Sequence, residues 1–503
     1  MEALHNLLYG FSVLFTPMTL LYCFMGTVIG TLIGVLPGIG PTATLALLLP
    51  ITFKLSPTEG MILLSGIYYG AMYGGSTTSI LVNIPGEAAS VVTCIDGHQM
   101  ARQGRAGAAL GISAFGSFIA GCLGVIGLMF LSPILASWAL RIGPPEFFSL
   151  LCMGLVLVTY LSSASFIRAL MMAAFGIILG CVGQDPEFGS LRFVFGFYNL
   201  MGGIELVPVA MGLFGISEVF VNIEKSMGGM SILKAEMKGL LPNKQDWKDS
   251  YKPILRGSVL GFFLGIIPGG GAFLSSFTSY ALEKRISKHP EKFGKGAIEG
   301  VAGPESANNA GAQGSFVPLF TLGIPSYVVM ALLLGALIIY GVTPGPLMMK
   351  KNPEIFWGVV ASMYIGNGML LVLKLPLIGL WVQVLRIPYK VLFPLILLTC
   401  LIGSYSINNS SFDIAVMLIF GVLGYLMQKF KFECAPMVLA FVLGPMFESS
   451  LRQSMLLSDG SFMIFFTRPI AAVGMGIAAL MVIFSAIPAI RKRKKIVIAE
   501  ENP

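Results

Sequence analysis

Small hydroxyl and amide side chains cluster beside four breaks in otherwise apolar segments. Each break contains proline or glycine, and the four lie at residues 37–40, 83–86, 268–271 and 323–326. A broken helix in lipid exposes backbone N–H and C=O groups, so it must be buried in protein or line a polar cavity. The set therefore predicts an internal site for a polar solute. The alternative, for any single Ser or Thr, is a helix cap or a hydrogen bond across a helix interface.

An anion is the solute that such a site favours. The N-terminus of a half-helix carries about half a positive charge and unpaired N–H groups, and glycine lets a carboxylate approach the backbone. Freed carbonyl groups at the opposite helix ends suit a cation such as Na⁺. The candidate solute-binding residues are Gly38, Gly40, Thr42, Thr44, Ser76, Thr77, Thr78, Asn83, Gly269, Gly270, Gly271, Ser275, Asn308, Asn309, Gln313 and Ser315.

Cation coupling has three candidate residues, Glu305, Asn83 and Gly323. An ionisable side chain inside an apolar segment costs about 2.5 to 3.5 kcal/mol at a helix centre, so each must be paired, interfacial or functional. For Glu305 the alternative is an acid that stabilises a helix N-terminus. The other ionisable residues in apolar segments are Glu87, Arg168, Glu205, Glu218, Lys374, Asp413, Glu433 and Glu448.

Enzyme signatures are weak in this chain. There is no Gly-x-x-x-x-Gly-Lys-Ser/Thr phosphate-binding loop, and residues 38–43 resemble a dinucleotide fingerprint without the strand and helix that should surround it. The three histidines stand alone, and the seven cysteines have no metal-ligand spacing. We therefore predict no enzyme activity, no cofactor other than Na⁺ or H⁺ as the coupling ion, and no metal centre.

Composition indicates an all-α polytopic membrane protein. The 503 residues are 55% hydrophobic and 11% charged, against about 25% charged residues in soluble domains. Apolar stretches near the length of roughly 20 residues that spans a bilayer predict about a dozen membrane elements with membrane lipid around them. The net charge of +8 is concentrated in the tail and in two loops, which the positive-inside rule places in the cytoplasm. A nucleic-acid partner is not predicted.

The chain contains the same segment twice. Residues 26–40 and 257–271 share a glycine at every fourth position followed by Pro-Gly-x-Gly, and matching positions differ by 231 in residue number. Three later pairs of similar segments follow in the same order, which predicts two structural repeats with discontinuous helices. The predicted organisation is a first repeat at 1–223, a cytoplasmic linker at 224–252, a second repeat at 253–490 and a basic cytoplasmic tail at 491–503.

The basic loops on both sides of residues 254–282 predict that this segment enters and leaves the membrane on one face, as a re-entrant hairpin. Charges in the first half favour inverted repeats, although a parallel arrangement stays open. The glycines of both stripes occupy one narrow helix face, which predicts close helix packing. Arg168 and Asp413 hold matching repeat positions, so they could pair, or Arg168 could reach the membrane interface.

These motifs resemble the large membrane subunit of the tripartite tricarboxylate transporter family over essentially the whole chain. The most specific segments are residues 34–41, 73–79, 83–87, 265–271 and 299–311. The resemblance implies a bacterial inner-membrane permease with a small membrane subunit and a periplasmic solute-binding protein as partners. It also implies uptake of a small carboxylate, citrate being the name-giving one, driven by a Na⁺ or H⁺ gradient. A passive anion channel is the alternative function.

Overall fold

The computed structural model describes residues 2–36, 40–162, 165–185, 188–225, 241–385 and 389–486. Gly38 and the basic tail at 491–503 lie outside the described residues. The helices of the first half are α1 (Glu2–Leu14), α2 (Pro17–Val35), α3 (Gly40–Thr52), α4 (Pro57–Val82), α5 (Val91–Arg102), α6 (Ala106–Ala139), α7 (Pro144–Leu161), α8 (Phe166–Gly180), α9 (Leu206–Ala210) and α10 (Ser217–Lys225).

The second half is also built from helices. They are α11 (Lys244–Ile266), α12 (Gly271–Ile286), α13 (Glu299–Gly314), α14 (Phe316–Leu322), α15 (Val328–Ile339), α16 (Met348–Lys351), α17 (Pro353–Lys374), α18 (Ile378–Val384), α19 (Tyr389–Asn408), α20 (Ser411–Lys429), α21 (Cys434–Leu457), α22 (Ile464–Thr467) and α23 (Pro469–Ala486).

Short elements complete the chain between these helices. Tight 3₁₀ turns form at Ala88–Ser90, Tyr198–Leu200 and Pro290–Lys292, and a π-helix at Met211–Ile216 joins α9 to α10. Two-residue strands, β1 (Gly183–Gln184) and β2 (Leu191–Arg192), pair antiparallel. Within the described part of the chain, this hairpin is the sole departure from the predicted all-α fold.

Eight described helical segments are long and apolar enough to cross a membrane, and five shorter apolar helices accompany them. This confirms the prediction of a polytopic membrane protein. Outer helices present apolar side chains outward: only 17% of the residues at Val391–Asn408 are buried. In contrast, every residue from Gly300 to Gly314 of α13 is buried, although its sequence is rich in amides, hydroxyls and glycine. A helix rich in polar side chains is therefore enclosed by the rest of the molecule.

All four predicted breaks separate helices in the structure. Asn83 and Gly323, which end α4 and α14, both adopt the left-handed conformation, with φ of 61° and 69°. Gly40 and Gly271, which begin α3 and α12, also have positive φ, at 50° and 57°. Glycine and asparagine tolerate this region better than other residues do. The breaks thus use the same backbone geometry at corresponding places in the two halves.

The glycine stripes pack helices against each other, as predicted. A Cβ atom on Gly26, Gly30 or Gly34 of α2 would lie 2.3–2.5 Å from a carbonyl oxygen of α4. The second stripe meets α13 in the same manner, with 2.3, 2.3 and 2.2 Å for Gly257, Gly261 and Gly265. Any side chain at these positions would force the helix pairs apart. The stripe residues are therefore structural.

The contacts of α6 fix the directions of the central helices. Gly116 lies beside Ser306 and Gly124 beside Gln313, so α6 and α13 run parallel. Against α4 the order of contacts along the two helices reverses. Ser113 of α6 bonds to Ser76 of α4 at 3.4 Å. Further along α6, the carbonyl oxygen of Phe118 accepts from the side chain of Asn367, which in turn accepts from the hydroxyl of Tyr73 on α4. Consequently α4 and α13 run in opposite directions, although they occupy matching positions in the two halves.

Helix α11 begins inside the range predicted to be linker. Asn243 caps it by accepting hydrogen bonds from the backbone N–H groups of Gln245 and Asp246, both at 2.8 Å. Asp246 in turn forms an ion pair with Arg105 at the start of α6. The predicted linker at 224–252 thus includes the first turns of α11. The helix begins there because Asn243 and Asp246 cap its N-terminus within the polar segment.

Candidate functional site

Three charged side chains are buried at the centre of the helix assembly: Glu87, Glu305 and Lys374, which are 6%, 0% and 1% exposed. They come from the break after α4, from α13 and from the end of α17. A charge removed from water costs several kcal/mol unless other groups compensate for the lost hydration. These side chains and their polar neighbours are called the polar centre below.

Lys374 holds its ammonium group between two hydroxyls. Nζ donates to Oγ of Ser76 at 2.5 Å and to Oγ of Ser113 at 2.8 Å, so it joins α17 to α4 and α6. It also lies 5.5 Å from the ring centre of Tyr73, a distance at which a cation and an aromatic ring attract. The sequence placed Lys374 among the ionisable residues of apolar segments but not among the site residues.

Glu305 lies next to this lysine. The hydroxyl of Thr93 donates to its Oε1 atom, and the carboxylate interacts electrostatically with Lys374 and lies near the hydroxyl of Ser76. Among the described residues, no group donates a hydrogen bond to its Oε2 atom. Glu305 therefore stands in the interior, within α13 rather than in its first turn, which disfavours the interpretation as a helix-capping acid.

Glu87 connects the break after α4 to α13. Its Oε2 atom accepts from the N–H of Ala89 at 2.6 Å, which caps the short 3₁₀ turn, and its Oε1 atom accepts from the amide of Asn308 at 3.0 Å. The Oδ1 atom of Asn308 is buried without a hydrogen-bond partner. The two carboxylates, Glu87 and Glu305, interact electrostatically.

The neighbouring amides extend the polar centre along α13. Asn309 donates to Oγ of Ser117 at 2.7 Å and to the carbonyl oxygen of Glu305 at 3.0 Å. Gln313, one turn further, has a buried Oε1 atom without a partner. Among the described residues, other buried polar atoms without a partner include Oγ1 of Thr77, Oγ of Ser276, Ser306 and Ser326, and the hydroxyl of Tyr327. Such atoms favour a polar occupant.

The turn at residues 268–271 is bonded to the break at residues 323–326. The N–H of Gly269 donates to the carbonyl oxygen of Ser326 at 2.6 Å, and that of Gly270 donates to Ile267 at 2.9 Å. A Cβ atom on Gly271 would lie 2.8 Å from the ring of Tyr327. The N–H groups of Gly269 and Gly270 therefore both have acceptors within the protein.

The other predicted residues divide into two groups. Hydroxyl groups of one set bond to backbone carbonyl groups of their own or a neighbouring helix: Thr44, Thr78, Ser275 and Ser315. Residues of the other set join or flank the polar centre: Ser76, Thr77, Asn308, Asn309, Gln313 and Glu305. Asn83 is exposed, Thr42 is half-buried, and the half-buried Gly40 has open space where a Cβ would lie.

Arg168 and Asp413 do not pair. The guanidinium of Arg168 donates to the carbonyl oxygen of Phe430 at 3.0 Å and lies over the ring of Phe432. Asp413 accepts from the amide of Asn408 at 3.1 Å. The prediction of a pair across the repeats is wrong, because Arg168 reaches the carbonyl groups at the end of α20, which leaves the interfacial alternative.

A separate cavity of about 380 Å³ lies between the ends of α8, α15 and α21 and the β hairpin. Arg192 bonds to Glu448 at 2.7 Å and Arg452 bonds to Asp185 at 2.8 Å along its wall. The hydrogen bond with Glu448 raises the pKa of Arg192. Glu205 also lines the wall, so three acids face two arginines and this cavity has no net preference for an anion.

A buried charged centre between broken helices, within a shell of membrane-length apolar helices, is typical of membrane transport proteins. The comparisons with known proteins agree with this class. Residues 20–439 match the Tripartite tricarboxylate transporter TctA family, and the chain belongs to that family.

Two relatives come from Agrobacterium vitis. One, described as an "Uncharacterized 52.8 kDa protein in TAR-I ttuC' 3'region", is 51% identical over 502 residues and covers 100% of both chains. The other, an "Uncharacterized protein in TAR-II ttuC' 3'region", is 52% identical over 242 residues, which cover 48% of this chain and 100% of the relative. No solved structure matches the chain. The family match confirms the predicted resemblance and a role as a transporter component.

Proposed function

We propose that the protein is the large permease subunit of a tripartite importer for tricarboxylates or related carboxylates, coupled to a Na⁺ or H⁺ gradient. The observation that carries this proposal is the buried polar centre, in which Glu305 and Lys374 lie among side chains contributed by both halves. Its partners are a small membrane subunit and a periplasmic solute-binding protein. It resides in a bacterial inner membrane with a cytoplasmic C-terminus.

Helix directions support an inverted arrangement of the two repeats. α4 and the matching α13 run in opposite directions, and each packs in parallel with the glycine-striped helix that precedes it. The turn at 267–270 connects α11 and α12, whose outer ends carry the basic loops assigned to one side. This geometry suits re-entrant hairpins whose turns meet near the centre of the membrane.

Coupling to cations follows from the energy of importing an anion. A tricarboxylate with three negative charges must enter against a potential of about 100 mV, which costs about 2.3 kcal/mol per charge, or about 7 kcal/mol in total. Co-transported cations offset that cost. Buried acids such as Glu305 and Glu87 are the groups in the polar centre that attract them.

The test is uptake of labelled citrate and other small carboxylates into proteoliposomes that hold the chain and its small subunit, with the binding protein added outside. Imposed Na⁺ and H⁺ gradients are varied separately. We expect accumulation above the external concentration with one gradient and none without it. Uptake that only equilibrates the carboxylate, whatever the gradients, would instead identify a passive anion pore.

Glu305→Gln is the matched variant for this experiment. It keeps the shape and removes the charge, so we expect gradient-driven accumulation to fall at least tenfold while the protein remains in the membrane. Glu354→Gln, at the first turn of α17, is the control, and it should transport as the unmodified protein does.

A further inference from the structure

Lys374 is the one buried charge of the polar centre for which neither the sequence nor the proposed function supplies a role. Among the described residues its ammonium has two hydrogen-bond partners, the neutral hydroxyls of Ser76 and Ser113. An ammonium group has three donors, so one remains for an additional acceptor. Neutral hydroxyls hold a charge less strongly than a carboxylate does, and the four-carbon stem lets the group move.

Charge balance shows what this ammonium compensates for. The polar centre holds two carboxylates, Glu87 and Glu305, and one ammonium, Lys374, all of them buried. With all three ionised, one negative charge is left over in a medium of low dielectric constant, which one proton or monovalent cation would neutralise. The other titratable groups that interact with Glu305 are Tyr73 and Cys94, which are ordinarily neutral near pH 7.

Ser76 connects the positive and negative sides of the polar centre. Its hydroxyl accepts from Lys374 and lies near the carboxylate of Glu305. The buried oxygen atoms without a partner, Oε2 of Glu305 and Oδ1 of Asn308, lie one helical turn apart on α13. Carboxylate and amide oxygens are ligands that hard cations prefer. A cation bound there would repel the lysine ammonium.

We propose that Lys374 is a tethered counter-charge that competes with the coupling cation for Glu305 and, once displaced, binds a carboxylate group of the solute. This inference rests on the proposed function and explains how the two ligands become linked. A cation on the acids frees the ammonium, and an ammonium held by the solute leaves the acids to the cation. Each ligand therefore raises the affinity for the other.

The first test uses the cation alone. The full-length chain in lipid nanodiscs is titrated with Na⁺ in a choline background, and binding is followed by calorimetry. Proton uptake after a pH change in Na⁺-free buffer is measured in parallel. Without the competing ammonium, Lys374→Gln and Lys374→Met should bind the coupling cation at least tenfold more tightly. Lys374→Arg keeps the charge and should bind it as the unmodified protein does.

Two matched variants complete this comparison. Glu305→Gln should lose the cation binding, and Lys350→Gln, at an exposed lysine of α16, should leave it unchanged. Lys374→Met retains a long aliphatic side chain in the buried site, so it can replace Lys374→Gln in this comparison if Lys374→Gln does not fold. Cation affinity in both Lys374 variants that equals or falls below that of the unmodified protein would overturn the proposal.

The second test measures the carboxylate. With the cation at saturation, citrate binding should weaken at least tenfold in Lys374→Met and be retained in Lys350→Gln; equal binding in both variants would overturn the proposal. Failure of the proposed function would give a different result, namely citrate uptake by the unmodified protein that depends on neither the Na⁺ gradient nor the H⁺ gradient. Gradient-driven uptake together with unaltered cation affinity in the Lys374 variants would reject this inference alone.

Discussion

Individual side chains in the polar centre are held by partners from distant parts of the chain. Asn309 bonds to Ser117 on α6 and to the backbone of Glu305 on its own helix. Because Ser117 is fully buried, removing the amide leaves its hydroxyl without that partner, a loss that costs about 1–3 kcal/mol. The same bond aligns α13 with α6 beside the candidate cation site.

Asn309→Ala should therefore reduce carboxylate uptake severalfold without preventing insertion of the protein into the membrane. Uptake into proteoliposomes and the amount of protein in the membrane fraction are the two measurements. Gln453→Ala, on an exposed face of α21, is the control and should be neutral. Uptake kinetics in Asn309→Ala that match those of the control would remove this residue from the site.

Helix pairs are fixed by close backbone contact and by ion pairs at their ends. The α11 and α13 pair depends on glycine, because a Cβ on Gly261 would lie 2.3 Å from the carbonyl oxygen of Ala307. The α11 and α12 pair is joined by Arg256, which forms two hydrogen bonds with Glu283 at 2.9 and 2.5 Å. Glu283 is 2% exposed, so this carboxylate depends on its partner.

Gly261→Ala should separate α11 from α13 and lower the thermal unfolding temperature of the detergent-solubilised protein, with loss of transport. Gly368→Ala is the matched control, since a Cβ there meets no atom within 4 Å and alanine favours a helix over glycine by about 1 kcal/mol. We expect Gly368→Ala to be neutral or stabilising. Similar unfolding temperatures for the two variants would contradict the packing role of the stripe.

Arg256→Met should leave Glu283 buried without its cation and destabilise the hairpin by about 1–3 kcal/mol, because charge-assisted bonds are lost at a partly exposed site. Hydrogen exchange at 271–286 measures this effect, and exchange there should accelerate. Arg285→Met, an exposed arginine on the same hairpin, should change nothing. Equal protection in both variants would show that the pair contributes nothing to the hairpin.

At the scale of the whole molecule, the two halves are bonded to each other at Asp96. Its Oδ1 atom accepts from the N–H groups of Gly294, Gly296 and Ala297, at 2.9, 2.8 and 2.9 Å. Its Oδ2 atom accepts from the hydroxyl of Tyr280 at 2.9 Å. A fully buried carboxylate of the first half therefore holds the loop before α13 of the second half in place.

Asp96→Asn should loosen this loop, because a neutral amide accepts weaker hydrogen bonds than a carboxylate does. Limited proteolysis at residues 287–298 should become several times faster in detergent solution. Asp459→Asn is the control, since Asp459 is exposed with φ of 50°, a conformation that asparagine tolerates. Unchanged cleavage in Asp96→Asn would show that other contacts hold the loop.

Breaks, stripes and membrane character could be predicted because each depends on residues close together in the chain. Proline and glycine at 268–271 interrupt a helix wherever it packs, and glycine at every fourth position forms one face by helical periodicity alone. The start of α11 was harder to predict from the sequence, because its capping residues Asn243 and Asp246 lie within a segment whose charge indicated a loop.

The sequence by itself determined a polytopic membrane protein with broken helices, since local backbone preference and apolar composition decide these features. Only the tertiary structure decided which polar residues share one site. Lys374 lies 298 residues from Ser76, and the packing of α17 between α4 and α6 brings them together. Thr78 and Ser275, in contrast, bond to backbone carbonyl groups. Hydrogen bonds between distant helices depend on their relative rotation, which no local pattern in the chain specifies.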